Sequence, residues 1–98
     1  MVIDNNVIWA TSNFADSWVD LKGNGYVVQN NSGSGALTDA FQVHAALSGW
    51  GVGNYFSGNG QVSGVAGFEV SVQNTASGTV VACAPSGAAR GLSNVPCA

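Results

Sequence analysis

Charge is what this chain has least of. Seven of its 98 residues are charged, five acidic and two basic, for a formal net charge of −3. An ordinary soluble domain carries roughly 25% charged residues. Lys22 and Arg90 alone cannot neutralise a run of phosphates, which excludes a nucleic-acid-binding surface. A membrane-surface helix with a basic face is excluded on the same count. No apolar run approaches the ~20 residues needed to span a bilayer, so no membrane insertion is expected. The opening residues, Met1 to Asn6, lack the basic start and apolar centre of a secretory signal.

Cysteine is scarce as well. Cys83 and Cys97 are the only two, and no C-x-x-C pair is present. With one distant histidine they make too few soft ligands for zinc, and no metal or cofactor is expected. One disulfide is expected to close the 83–97 segment onto the rest, the alternative being two buried free thiols. Closing a loop of ~15 residues stabilises a small fold by about 3 kcal/mol. A disulfide implies an oxidising compartment, so an extracellular or surface location is expected, with a signal removed and Met1 added.

What the chain has instead is glycine, serine, asparagine and valine. Fourteen glycines punctuate it, and the apolar positions follow a period of two rather than 3.6. Val62 to Gln73 alternates most clearly, with Val62, Gly64, Ala66, Phe68, Val70 and Val72 on one face and Gly64 and Gly67 marking a bend. Phe41 to Leu47 alternates too, with Phe41, Val43, Ala45 and Leu47 inward. Further strands are expected at Ile3–Ala10, Trp18–Leu21, Tyr26–Gln29, Thr79–Ala82 and Leu92–Val95. Turn chemistry lies between them, at 22–25, 30–35, 57–60 and 77–78, and Gly-Asn-Gly runs of this kind supply tight hairpins. The pattern predicts residues 1–98 as one all-β domain, an antiparallel β-sandwich (jelly-roll or Ig-like) of about 6–8 short strands. Gly23-Asn24-Gly25 before Tyr26 and Gly58-Asn59-Gly60 before the later strand form a faint internal echo, which two similar hairpins explain as well as duplication does.

Catalytic chemistry finds little to work with. His44 is the only side chain suited to proton transfer near neutral pH, and it follows Asp39 by five positions. No serine sits in a G-x-S-x-G elbow. Asp16, Asp20, Asp39 and Glu69 are the acids available for a glycosidase pair, and they read as solvated charges. The repeat Asp16, Asp20, Asn24 does not match a calcium loop. No enzyme is expected.

Two readings remain. The first is an extracellular structural or self-assembling β-module, a fibre, coat or surface-layer subunit that meets copies of itself or a neutral polymer through uncharged surfaces and strand edges. Val2, Ile3, Val7, Ile8 and Trp9 form an apolar segment suited to strand addition, with few charges to guard an edge. The alternative is a small carbohydrate-binding module, with Trp50, Asn54, Tyr55 and Phe56 of a glycine-rich loop contacting a glycan.

Overall fold

The structure, a computed structural model, describes residues 1–9 and 16–98, with the backbone alone at Trp9. Ten short strands lie among the described residues: β1 (Val2–Asp4), β2 (Val7–Trp9), β3 (Val19–Leu21), β4 (Val27–Gln29), β5 (Ser32–Ala36), β6 (Phe41–Val43), β7 (Tyr55–Ser57), β8 (Gln61–Val65), β9 (Val70–Val72) and β10 (Val80–Val81). They form three sheets, ordered β1-β4-β7-β10, β2-β5-β8 and β3-β6-β9. Every strand pair is parallel. Successive strands therefore belong to different sheets, and the chain winds as a parallel β-solenoid of three coils with a partial fourth.

The antiparallel sandwich is thus overturned. Alternation reports that one face of a strand is buried, and a solenoid wall meets that condition as well as a sandwich does. The 62–73 stretch is two strands, β8 and β9, turned into different walls by residues 66–69. Gly64 takes a φ of 63° there, and at Gly67 a Cβ would run into the Asp39 carboxylate and the Thr38 carbonyl. The 3–10 stretch likewise splits at Asn5 and Asn6 into β1 and β2, and its end at Ala10 lies outside the described residues. The strand after Phe41 stops at Val43, which leaves Leu47 exposed and Gln42 buried. At Leu92–Val95 only a single parallel bridge, Val70 to Ser93, is present. Two strands stand where turns and loops were expected, β5 and β7.

Stacking coils in register buries like on like. Ile3, Val28, Phe56 and Val81 form one inward row, and Leu21, Val43 and Val72 another. Phe41 and Phe56 are fully buried at the centre, with ring centroids 5.8 Å apart. Trp18 meets Phe41 edge-on at 5.7 Å and donates its indole N–H to the Gly35 carbonyl at 2.7 Å. Gly33 makes room for it: a Cβ at that position would lie 2.9 Å from the Trp18 ring. A glycine-serine strand such as β5 is possible because the indole fills the space its own side chains leave empty.

The two ends of the solenoid differ. At the C-terminal end, residues 87–94 lie along the last coil. The N–H groups of Gly87, Ala89 and Arg90 donate to the carbonyls of Gly60, Val65 and Gly67, and Gly91 and Leu92 accept from Glu69 and Val70, all at 2.9–3.0 Å. The Asn94 side chain both accepts from the Val72 N–H and donates to its carbonyl. Ala98 bonds Val81 and Cys83 on the free edge of β10, where the Cys83–Cys97 disulfide holds it. At the N-terminal end, no strand among the described residues pairs with the outer edges of β1, β2 or β3.

Candidate functional site

The corner between the first and second sheets begins in each coil with an equivalent pair, Asn5-Asn6, Asn30-Asn31 and Gly58-Asn59, with Gly60 as one extra residue in the third. Its first residue is left-handed each time, with φ of 56°, 57° and 67°, a conformation open mainly to glycine and asparagine. Its second residue is always asparagine, and these stand 25 and 28 residues apart. They form a ladder. The N–H of Asn6 donates to Asn31 Oδ1 at 3.0 Å, and the N–H of Asn31 donates to Asn59 Oδ1 at 3.0 Å. In return, Asn31 Nδ2 donates to the Ile3 carbonyl at 3.1 Å, and Asn59 Nδ2 to that of Val28 at 2.9 Å. Each amide thus satisfies the turn N–H and a carbonyl of the coil before it. Asn31 and Asn59 are 1% exposed, so water cannot replace them.

Asn6 is the ladder's open end. Its Nδ2 donates to Asn31 Oδ1 and to the Asp4 carbonyl, while no donor to its own Oδ1 is found among the described residues. Outside the corner lies an open polar cleft of about 320 Å³, lined by Asn5, Asn30, Asn31, Ser32, Gly58 and Gln61. All of its lining is uncharged.

The segment expected to add as a strand, Val2 to Trp9, forms β1 and β2, two of the three strands of the first coil. Val2 and Val7 are exposed on its outer face, while Ile3 and Ile8 are half-buried in the inward rows. Trp9 belongs to β2 by its backbone. The aromatic loop residues divide. Trp50 is 51% exposed and Tyr55 39%, with Tyr55 in the outer row of Val2, Val27 and Val80. Phe56 is core. Asn54 is fully buried, accepting from the Tyr26 N–H at 2.8 Å and donating to the Gly23 carbonyl. The Cys83–Cys97 disulfide is formed, with Cα atoms 4.9 Å apart.

His44 pairs with Asp20, Nδ1 to Oδ1 at 2.5 Å, and not with Asp39. Lys22 approaches the other Asp20 oxygen at 3.2 Å. Partial burial disfavours the Asp20 charge, but the hydrogen bonds and positive charges of His44 and Lys22 outweigh it and hold the carboxyl below its ordinary value. Asp39 is buried too, accepting from the Phe68 N–H and from Gln42.

Glu69, expected at the surface, is 2% exposed near the C-terminal segment. One of its carboxylate oxygens has no partner among the described residues. Burial pushes its carboxyl above the ordinary value, against a smaller opposing effect of the hydrogen bond from Ser86. Among the described residues no three His, Cys, Asp or Glu side chains are grouped to hold a metal ion.

Sequence reasoning missed Asn6, Asn31 and Asn59 as a set. Their signal was present, an asparagine preceded by asparagine or glycine at near-constant spacing. The Gly-Asn-Gly echo aligned Asn59 with Asn24 and so hid it. Compared with protein-family models, with curated proteins and with solved structures, the chain finds no match.

Proposed function

We propose that the chain is an extracellular structural module that assembles through the open strand edges of its first coil. The observation that carries this reading is the asymmetry of the ends. The last coil is covered by its own tail and tied by a disulfide, whereas β1 and β2 keep one edge each without a strand partner among the described residues. Unpaired edges are templates for further pairing, and proteins usually guard them with charge or proline. Here Val2 and Val7 stand on the outer face beside those edges, and Asp4 is the only charged residue in β1 or β2. A neutral surface lets chains meet without burying unpaired ions. The disulfide supports the extracellular setting.

One open end and one closed end favour an assembly that stops over a head-to-tail fibre, which needs both. Sedimentation of the intact chain over a range of concentrations tests the reading. Reversible association is expected, and Val7→Lys, which places a charge beside the edge, should abolish it. A monomer at every concentration contradicts it.

A second reading, binding of a neutral glycan, draws on the exposed faces of Trp50 and Tyr55. Retention on insoluble polysaccharide that Trp50→Ala and Tyr55→Ala both remove would support it, and no retention of the parent chain would dismiss it.

A further inference from the structure

We infer that the polar cleft outside the corner between the first and second sheets binds a neutral, extended β-linked oligosaccharide lying along the solenoid axis. The inference goes beyond edge assembly and uses other groups, the side chains on the outside of the corner. By the registers, Asn5, Asn30 and Gly58 form one row along the axis, and Ser32 and Gln61 form a second row beside it. The cleft lies between the rows and holds about 320 Å³. Its base is fixed, because the buried amides of Asn31 and Asn59 tie each turn to the coil before it.

The polar groups of the cleft are still to be used. Among the described residues no hydrogen bond engages the side chains of Asn5, Ser32 or Gln61, and Asn30 uses only its Nδ2, which donates to Asp4 at 3.3 Å. Asn30 Oδ1 stands over Gly58, where a Cβ would come within 2.6 Å of it, so glycine keeps the third coil's step open. A planar amide offers a donor and an acceptor side by side. Neighbouring hydroxyls on a sugar ring, each both donor and acceptor, match that pair. The lining has no charge to hold a phosphate, carboxylate or metal ion, and no apolar side chain to hold an apolar molecule. A peptide strand would need a free backbone edge, whereas β5, which carries Ser32, is already paired with β2 and β8. Spacing then sets the ligand's shape. Coils stack about 4.8 Å apart, close to the advance of one sugar unit in an extended β-linked chain. Asn5 to Gly58 is two steps, about 10 Å, so the cleft takes two units in line. An α-linked chain curls away from the rows.

NMR of the side-chain amides in the intact chain tests this, with cellobiose and N,N′-diacetylchitobiose as β-linked probes and maltose, glycerol and capped triglycine as controls. Saturable shifts at Asn5, Asn30 and Gln61 are expected with at least one β-linked disaccharide, with a Kd in the millimolar range because no aromatic ring in the cleft stacks on the sugar. Maltose should bind more weakly. Asn5→Gly, which keeps the left-handed turn, and Gln61→Ala, at the surface, should each weaken binding by about fivefold or more. Trp50→Ala, at another corner, should leave it unchanged. No saturable shift with either β-linked disaccharide overturns the inference. So do equal shifts with maltose, glycerol or capped triglycine, or binding that Trp50→Ala removes while Asn5→Gly and Gln61→Ala retain it. None of these outcomes bears on edge assembly, which sedimentation reads separately.

Discussion

Asn31→Ala removes the middle of the asparagine ladder, and its cost can be worked from the bonds it breaks. Asn31 Oδ1 accepts from the Asn6 N–H at 3.0 Å and from Asn6 Nδ2 at 3.1 Å, while Asn31 Nδ2 donates to the Ile3 carbonyl and to Asn59 Oδ1. Alanine leaves the Asn6 N–H without its acceptor and the Ile3 carbonyl without its side-chain donor, while Asn59 Oδ1 keeps only the backbone N–H of residue 31. Each buried hydrogen bond contributes about 1 kcal/mol net, and a stranded polar group costs about 1–3 kcal/mol. Because the Asn6 side can rehydrate, a loss of about 2–3 kcal/mol is expected. Urea unfolding followed by circular dichroism should show a lower midpoint with an unchanged slope. At about 4–8 °C per kcal/mol for a domain of this size, the melting temperature falls by about 10–20 °C. Asn59→Ala should cost as much, since it strands the buried Asn31 N–H. Asn6→Ala, at the exposed end, should cost under about 1 kcal/mol. A loss below about 0.5 kcal/mol for Asn31→Ala, or equal losses at all three positions, would refute the ladder as a source of stability.

Other predictions concern the core and the C-terminal end. Glu69→Gln should raise the melting temperature near neutral pH, because the amide carries no charge to desolvate. The sign follows from the raised carboxyl: the folded state holds the proton more tightly than the unfolded chain does. The parent should therefore lose stability as pH rises above the ordinary glutamate value, a trend the variant should lack in thermal scans at graded pH. Asp20 works oppositely, its contribution present above the ordinary aspartate value and lost as pH falls below it. Reducing the disulfide, or replacing both cysteines by alanine, should cost about 3 kcal/mol in urea unfolding and free the 87–94 amides to exchange faster than those of β6. Phe41→Ala should cost about 3–5 kcal/mol, since its ring contacts both Trp18 and Phe56 in a site with no exposed surface.

The period of two made the chain all-β, and two cysteines near its end were enough to anticipate the staple. Alternation could not tell a parallel wall from an antiparallel one, because it records only which side of a strand is buried. Gly58-Asn59 reads as hairpin chemistry by type, but here the left-handed glycine turns the chain between walls and the asparagine reaches to the coil before. Ser32 to Ala36 looks like a loop for want of side chains. The missing bulk is Trp18, fourteen or more positions earlier, whose indole packs over Gly33. Glu69 shares a strand-like stretch with polar neighbours, and nothing local reveals that residues near Ser86 return to cover it. Each of these failures is a contact between coils, at a distance that a local pattern does not span. At the proposed site, the apolar run from Val2 to Trp9 was legible, whereas its openness depends on the tail closing the opposite end.

Amide exchange of the intact chain at low and high concentration tests assembly through the first coil most directly. The registers of β1 on β4 and β2 on β5 turn the N–H groups of Asp4 and Val7 away from the second coil, towards the open side. With assembly through that face, the Asp4 and Val7 amides gain protection as concentration rises, while those of residues 87–94 do not change. Protection that never changes at Asp4 and Val7, or that rises at 87–94 instead, would contradict it.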